Sequence, residues 1–132
     1  TILAEADRLP AGSVVRLGAV PDTDLPLIYN GALALAYPSL AEGFGMPLLE
    51  AMACGIPVLT APRGALEEVG GDAVLFVDPL DEDAIAEGLE RILGDSELRY
   101  RLSEAGKTRA AQFRWEETAR RTMAAYRLAA QN

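Results

Sequence analysis

An α/β fold, a parallel sheet followed by helices, is predicted by three observations. Short apolar runs recur between Val14 and Val77, helix-length segments with start and stop signals lie between them, and beyond Asp78-Pro79 only helical periodicity remains. Strands that alternate with helices at this spacing pair in parallel, because each crossover returns the chain to the same end of the sheet. The 132 residues suffice for one core and are too few for two. Residues 1–80 carry the strand–helix alternation and residues 81–132 form a helical tail.

Residues 1–10 mix charged and apolar side chains and read as a helix, not a signal peptide. Thr1 opens the chain in mid-pattern and without Met, as a segment cut from a longer protein would. Val14-Val15-Arg16-Leu17-Gly18 is the first predicted strand, and residues 22–30 a short helix ended by Gly31. Ala32-Leu33-Ala34-Leu35-Ala36-Tyr37 is apolar throughout, the pattern of a strand covered on both faces. A helix over 47–54 starts with Pro47 in its first turn and stops at Gly55. Pro57-Val58-Leu59-Thr60-Ala61 and Ala73-Val74-Leu75-Phe76-Val77 complete the strands, with a turn or short helix over 63–69 between them. Asp81 is the N-cap of a helix whose Ile85, Leu89, Ile92 and Leu93 share a face. A second helix runs from Ser96 to Phe113 with Leu98, Leu102 and Ala105 on its apolar side. The third starts at Trp115, and Trp115, Ala119, Met123 and Tyr126 form a stripe expected to pack.

Composition removes several kinds of chemistry. Half the residues are hydrophobic and a quarter charged, a globular balance, and no apolar run approaches the roughly 20 residues that span a bilayer. The net charge of −8 excludes a nucleic-acid partner, which needs clustered cations. With no histidine and one cysteine, imidazole catalysis and Cys/His metal clusters are ruled out. Lone Cys54, set among small residues, reads as a buried hydrophobe in a reducing cytoplasm.

The stretch that carries chemistry starts at Pro38, where the second predicted strand ends, and finishes inside the next helix. It therefore lies at the carboxyl edge of the sheet, where open α/β sheets bind ligands. Gly43 and Gly45 leave backbone amides uncovered just before a helix N-terminus, an arrangement that favours anionic, oxygen-rich ligands. Glu42 in the loop and Glu50 in the helix are separated by seven residues. An ionised carboxylate only accepts hydrogen bonds, and its two oxygens can grip neighbouring hydroxyls. Such a pair around a glycine loop suits a polyhydroxy ligand bearing phosphate. The same residues also read as a solvated loop glutamate and a helix-surface glutamate on an ordinary strand–loop–helix unit.

Ser39-x-x-Glu42-Gly43-Phe44-Gly45-x-Pro47-x-x-Glu50-Ala51-Met52-Ala53-x-Gly55-x-Pro57-Val58 resembles the signature of the family-four (group 1) retaining glycosyltransferases, including their pair of glutamates. Arg16-Leu17-Gly18, Glu67-Glu68-Val69-Gly70, Val77-Asp78-Pro79 and Phe113-x-Trp115-Glu116 resemble the same family in order, so the likeness covers nearly the whole chain. It implies a Rossmann-like sheet belonging to the C-terminal, donor-binding half of a GT-B enzyme. It also implies sugar transfer from a nucleotide-diphosphate donor with retention at the anomeric carbon and no required metal or other cofactor. By the resemblance Glu42, the catalytic candidate, and the backbone of Gly43, Phe44 and Gly45 contact the transferred sugar. Glu50 holds the ribose, the amides near Gly45 and Met46 lie by the diphosphate, and the loop at Val20 and Pro21 flanks the base. The full-length enzyme would be cytoplasmic, with peripheral attachment to the inner face of the membrane left open.

The chain departs from the family in one respect. The Gly-Arg and Lys-Gly pairs that neutralise the diphosphate do not occur before Glu42, where the only basic residues are Arg8 and Arg16. The expected partners are the nucleotide sugar and a missing N-terminal acceptor domain. In the family's doubly wound sheet the Val14 strand corresponds to the third, and those at Leu33, Val58 and Val74 to the fourth, fifth and sixth. An unpaired strand edge or the C-terminal helix would then favour a homodimer. Competing readings are a non-catalytic nucleotide-sugar-binding or assembly module of the same fold, a GT-B-like epimerase, which would be expected to use a histidine, and a plain doubly wound domain.

Overall fold

The computed structural model describes residues 2–131, and the first residue of the predicted N-terminal helix, Thr1, lies outside them. A short strand starts where an apolar run leaves the helix period, and three such strands of two or three residues form one parallel sheet. These are β1 (Leu35–Tyr37), β2 (Val58–Thr60) and β3 (Leu75–Phe76), ordered β1-β2-β3. Leu35 lies opposite Val58, Tyr37 opposite Thr60, and Leu59 opposite Leu75. The helices are α1 (Ile2–Ala6), α2 (Leu25–Gly31), α3 (Met46–Ala53), α4 (Ala65–Gly70), α5 (Glu82–Gly94), α6 (Ser96–Ala110) and α7 (Trp115–Ala129). The predicted α/β fold, parallel sheet and closing helices are all present.

Side chains alternate across a strand, so β2 feeds two cores. Val58 joins Leu48, Met52, Leu66 and Val69 from α3 and α4, whereas Leu59 joins Ile92, Leu98 and Leu102 from α5 and α6. Two glycines let α5 and α6 pack closely on this core. A Cβ on Gly88 of α5 would stand 2.6 Å from Leu59, and one on Gly106 of α6 would stand 3.3 Å from Met52. Asp81 caps α5 by accepting from the Ala84 amide at 3.0 Å. Asp95 caps α6 in the same way, and Arg99 returns to the last carbonyls of α5, Ile92 and Leu93. So α5 and α6 are part of the core.

Four expectations are corrected. The Val14–Gly18 stretch is not a strand: it is irregular, with Val15 73% exposed and Gly12 and Gly18 turning the chain at positive φ. The free edge of β1 is only three residues long, and a few ladder bonds do not offset ordering five residues at roughly 1–2 kcal/mol each. Residues 32–37 are not covered on both faces, since Leu33 is 63% exposed and only its last three residues form a strand. Leu93 points outward, because it lies about 100° round the helix from buried Ile92. The stripe on α7 does not pack: Trp115 is 77% and Tyr126 66% exposed, and no residue of that helix is buried. The chain is extended at Arg114, and the first turns of α7 face the segment around Phe44 and Leu49 only across an open groove, so the stripe is left uncovered.

Candidate functional site

The carboxyl ends of β1 and β2 are tied together by buried Thr60, whose hydroxyl donates to the Tyr37 carbonyl at 2.8 Å. From Tyr37 the chain turns through Pro38 and Ser39 into Glu42-Gly43-Phe44-Gly45 and enters α3 at Met46. Gly45 is the N-cap, with φ 88°. A Cβ there would stand 2.7 Å from Leu66 Cδ2, a fully buried side chain, so conformation and space both demand glycine. The Gly45 carbonyl accepts from the Leu48 and Leu49 amides. The amides of Gly43, Phe44, Gly45 and Met46 donate to nothing among the described residues and stay available at the positive end of α3.

Each glutamate is held by a tyrosine from an earlier element. Tyr37 Oη donates to Glu42 Oε1 at 2.5 Å, and Ser39 Oγ donates to the same oxygen at 2.9 Å. Tyr29 Oη, from α2, donates to Glu50 Oε2 at 3.1 Å. Donation from Tyr37, then from Ser39, holds the Glu42 carboxyl below its ordinary range, so it is a carboxylate at neutral pH. The same hydrogen bond, with burial second, pushes the Tyr37 phenol up to about 12. For Tyr29 burial comes first and the bond to Glu50 second, and its phenol also rises to about 12.

The predicted site residues, with one exception, therefore fall on one loop–helix unit at the sheet's carboxyl edge. The exception is Val20, half-buried in the irregular stretch before α2, which takes part in no hydrogen bond or ring contact among the described residues. The Phe44 ring packs edge-on against Phe113 with centroids 5.9 Å apart. Phe44, Met46 and Leu49 form one wall of a groove of about 460 Å³, with Phe113, Trp115 and Arg121 opposite. Tyr29 and Tyr37 were absent from the residues predicted for the site. Tyr37 ends an apolar strand five residues before Glu42, a visible signal, whereas Tyr29 and Glu50 are 21 residues apart and only the fold joins them.

Comparison with known proteins bears on the same unit. The family described as "Glycosyl transferases group 1" matches residues 4–109. The chain belongs to this family. Among curated relatives of this group 1 chain is the O-antigen chain mannosyltransferase B of Escherichia coli, 45% identical over 117 residues. That match covers 89% of this chain and 31% of the relative, so the chain spans about a third of that protein's length. The solved structure of sucrose-phosphate synthase from Thermosynechococcus elongatus superposes with a TM-score of 0.84 at 32% identity, over 99% of this chain and 33% of that one. The C-terminal domain of a glycosyl transferase group 1 family protein from Francisella tularensis gives a TM-score of 0.64 at 30% identity, over 73% of this chain and 51% of that one. The group 1 chain thus has the α/β fold of GT-B glycosyltransferases. No described helix is long and apolar enough to cross a membrane.

Proposed function

We propose that this chain is the donor-binding part of a cytoplasmic glycosyltransferase that moves a sugar from a nucleotide-diphosphate donor with retention of anomeric configuration. Glu42 accepts hydrogen bonds from hydroxyls of the transferred sugar and places a negative charge beside the anomeric carbon. Glu50 takes the ribose hydroxyls. The free amides from Gly43 to Met46 face the diphosphate and stabilise its charge as it leaves, with no metal required. Val20 and Pro21 flank the base, and an acceptor-binding part of a longer enzyme supplies the opposite wall. One observation carries this reading: two carboxylates, each held on one oxygen, one in a glycine loop with open amides and one in the helix that follows it, stand at the sheet's carboxyl edge.

Steady-state kinetics of the full-length enzyme test it. Glu42→Ala is expected to lower kcat/KM by roughly 10²–10³-fold with a fall in kcat, the scale of a lost preorganised charged contact. Glu50→Ala is expected to act mainly on donor KM. Near-wild-type kinetics in both would remove the pair from the reaction.

A further inference from the structure

We propose that Tyr29 and Tyr37 are positioning residues that fix one oxygen of each glutamate so that the other is presented to the ligand. The inference rests on the donor-binding reading above and adds the groups that orient it. Both donors to Glu42, Tyr37 Oη and Ser39 Oγ, converge on Oε1, and nothing among the described residues donates to Oε2. At Glu50 the single donor, Tyr29 Oη, takes Oε2 and leaves Oε1 open. A carboxylate has about four acceptor sites, so the held oxygen anchors the group while the other keeps its full capacity.

The anchors stand on scaffold rather than on the loop they orient. Tyr37 ends β1, its carbonyl is held by Thr60, and both tyrosine rings pack against the core around Leu48, Met52 and Val58. Glu42, by contrast, is half-exposed on a glycine-flanked loop. A free glutamate there would surrender rotamer freedom on gripping a hydroxyl pair, whereas a carboxylate already pinned on one oxygen has lost most of it before the ligand arrives.

The test uses the full-length enzyme and three ribonucleoside diphosphates, UDP, GDP and ADP, each beside its 2′-deoxy form, with binding measured by calorimetry. The wild type is expected to prefer the ribose form of whichever diphosphate binds best, and Glu50→Ala to abolish that preference. Tyr29→Phe, which removes only a hydroxyl, is expected to cut the preference about five- to tenfold and to weaken the deoxy form less, since that form keeps one of the two hydroxyls Glu50 accepts from. A circular dichroism spectrum and unfolding midpoint like those of the wild type report that the fold is intact. For Glu42 the readout is kinetic: Tyr37→Phe lowers kcat, and adding Ser39→Ala deepens the loss toward that of Glu42→Ala. If Glu50→Ala abolishes the ribose preference and Tyr29→Phe keeps it, the positioning role is overturned and the donor-binding reading stands. If Glu50→Ala leaves the preference intact, or no diphosphate binds, the donor-binding reading falls and takes this inference with it.

Discussion

Glu42 and its phenol partner titrate in opposite directions because one hydrogen bond favours the carboxylate and the neutral phenol together. The pH consequences follow from the sign of each shift. The folded phenols of Tyr29 and Tyr37 lie near 12 against an ordinary value of 10.0, so their contribution to stability is complete below pH 10 and is lost as pH rises toward 12. The depressed Glu42 contributes above the ordinary carboxylate value and loses that contribution as pH falls through its folded pKa, a small effect for a group so open to water. Absorbance titration at 295 nm is expected to show two late phenolic ionisations near pH 12. Glu42→Gln should bring the Tyr37 ionisation back toward the ordinary 10.0, and Glu50→Gln should lower that of Tyr29 less, because burial is its larger cause. An unmoved Tyr37 ionisation in Glu42→Gln would mean that the assigned hydrogen bond does not set the shift.

At the scale of the element, α3 depends on a left-handed N-cap and α5 and α6 on aspartate caps. Gly45→Ala places a Cβ against buried Leu66 at φ 88°. It is expected to cost about 2–4 kcal/mol in urea unfolding, from left-handed strain and overpacking together. Losing Asp81 or Asp95 to alanine removes one cap bond each and should cost about 1 kcal/mol apiece. The ranking is the stringent part: a Gly45→Ala penalty below that of either cap would mean that the loop relaxes and Leu66 does not confine it.

The molecule as a whole shows more surface than its mass calls for. Its accessible area is 9227 Å², against roughly 6,700 Å² for a compact monomer of this size. Exposed apolar side chains include Val15 and Leu17 of the irregular stretch, Leu33 just before β1, and Trp115, Met123 and Tyr126 of α7. Apolar surface on this scale rewards any partner that covers it. The 132-residue chain by itself is therefore expected to self-associate at tens of micromolar, as measured by sedimentation. Trp115→Ser with Tyr126→Ser should shift it toward monomer. A wild-type chain that sediments as a monomer across this range would show that solvent tolerates these faces.

What the sequence determined by itself is whatever local chemistry enforces. Gly43 and Gly45 around a strand end, Pro47 in a first turn, Asp81 before a helical period and the spacing of Glu42 from Glu50 each carry their reason within a few residues. So the order of elements beyond Val14–Gly18, the loop at the sheet's carboxyl edge and the place of the two carboxylates in it were legible. Asp95 caps the helix that starts at Ser96 by the same local chemistry, although no cap was predicted there. The fate of Val14–Gly18 and of the α7 stripe was not, because an apolar pattern states that a face can be buried and not that a partner exists. Nor was the pairing of Tyr29 with Glu50, which lie on different helices. A hydrogen bond between residues distant in sequence exists only once packing has brought α2 beside α3, and that decision belongs to the tertiary structure.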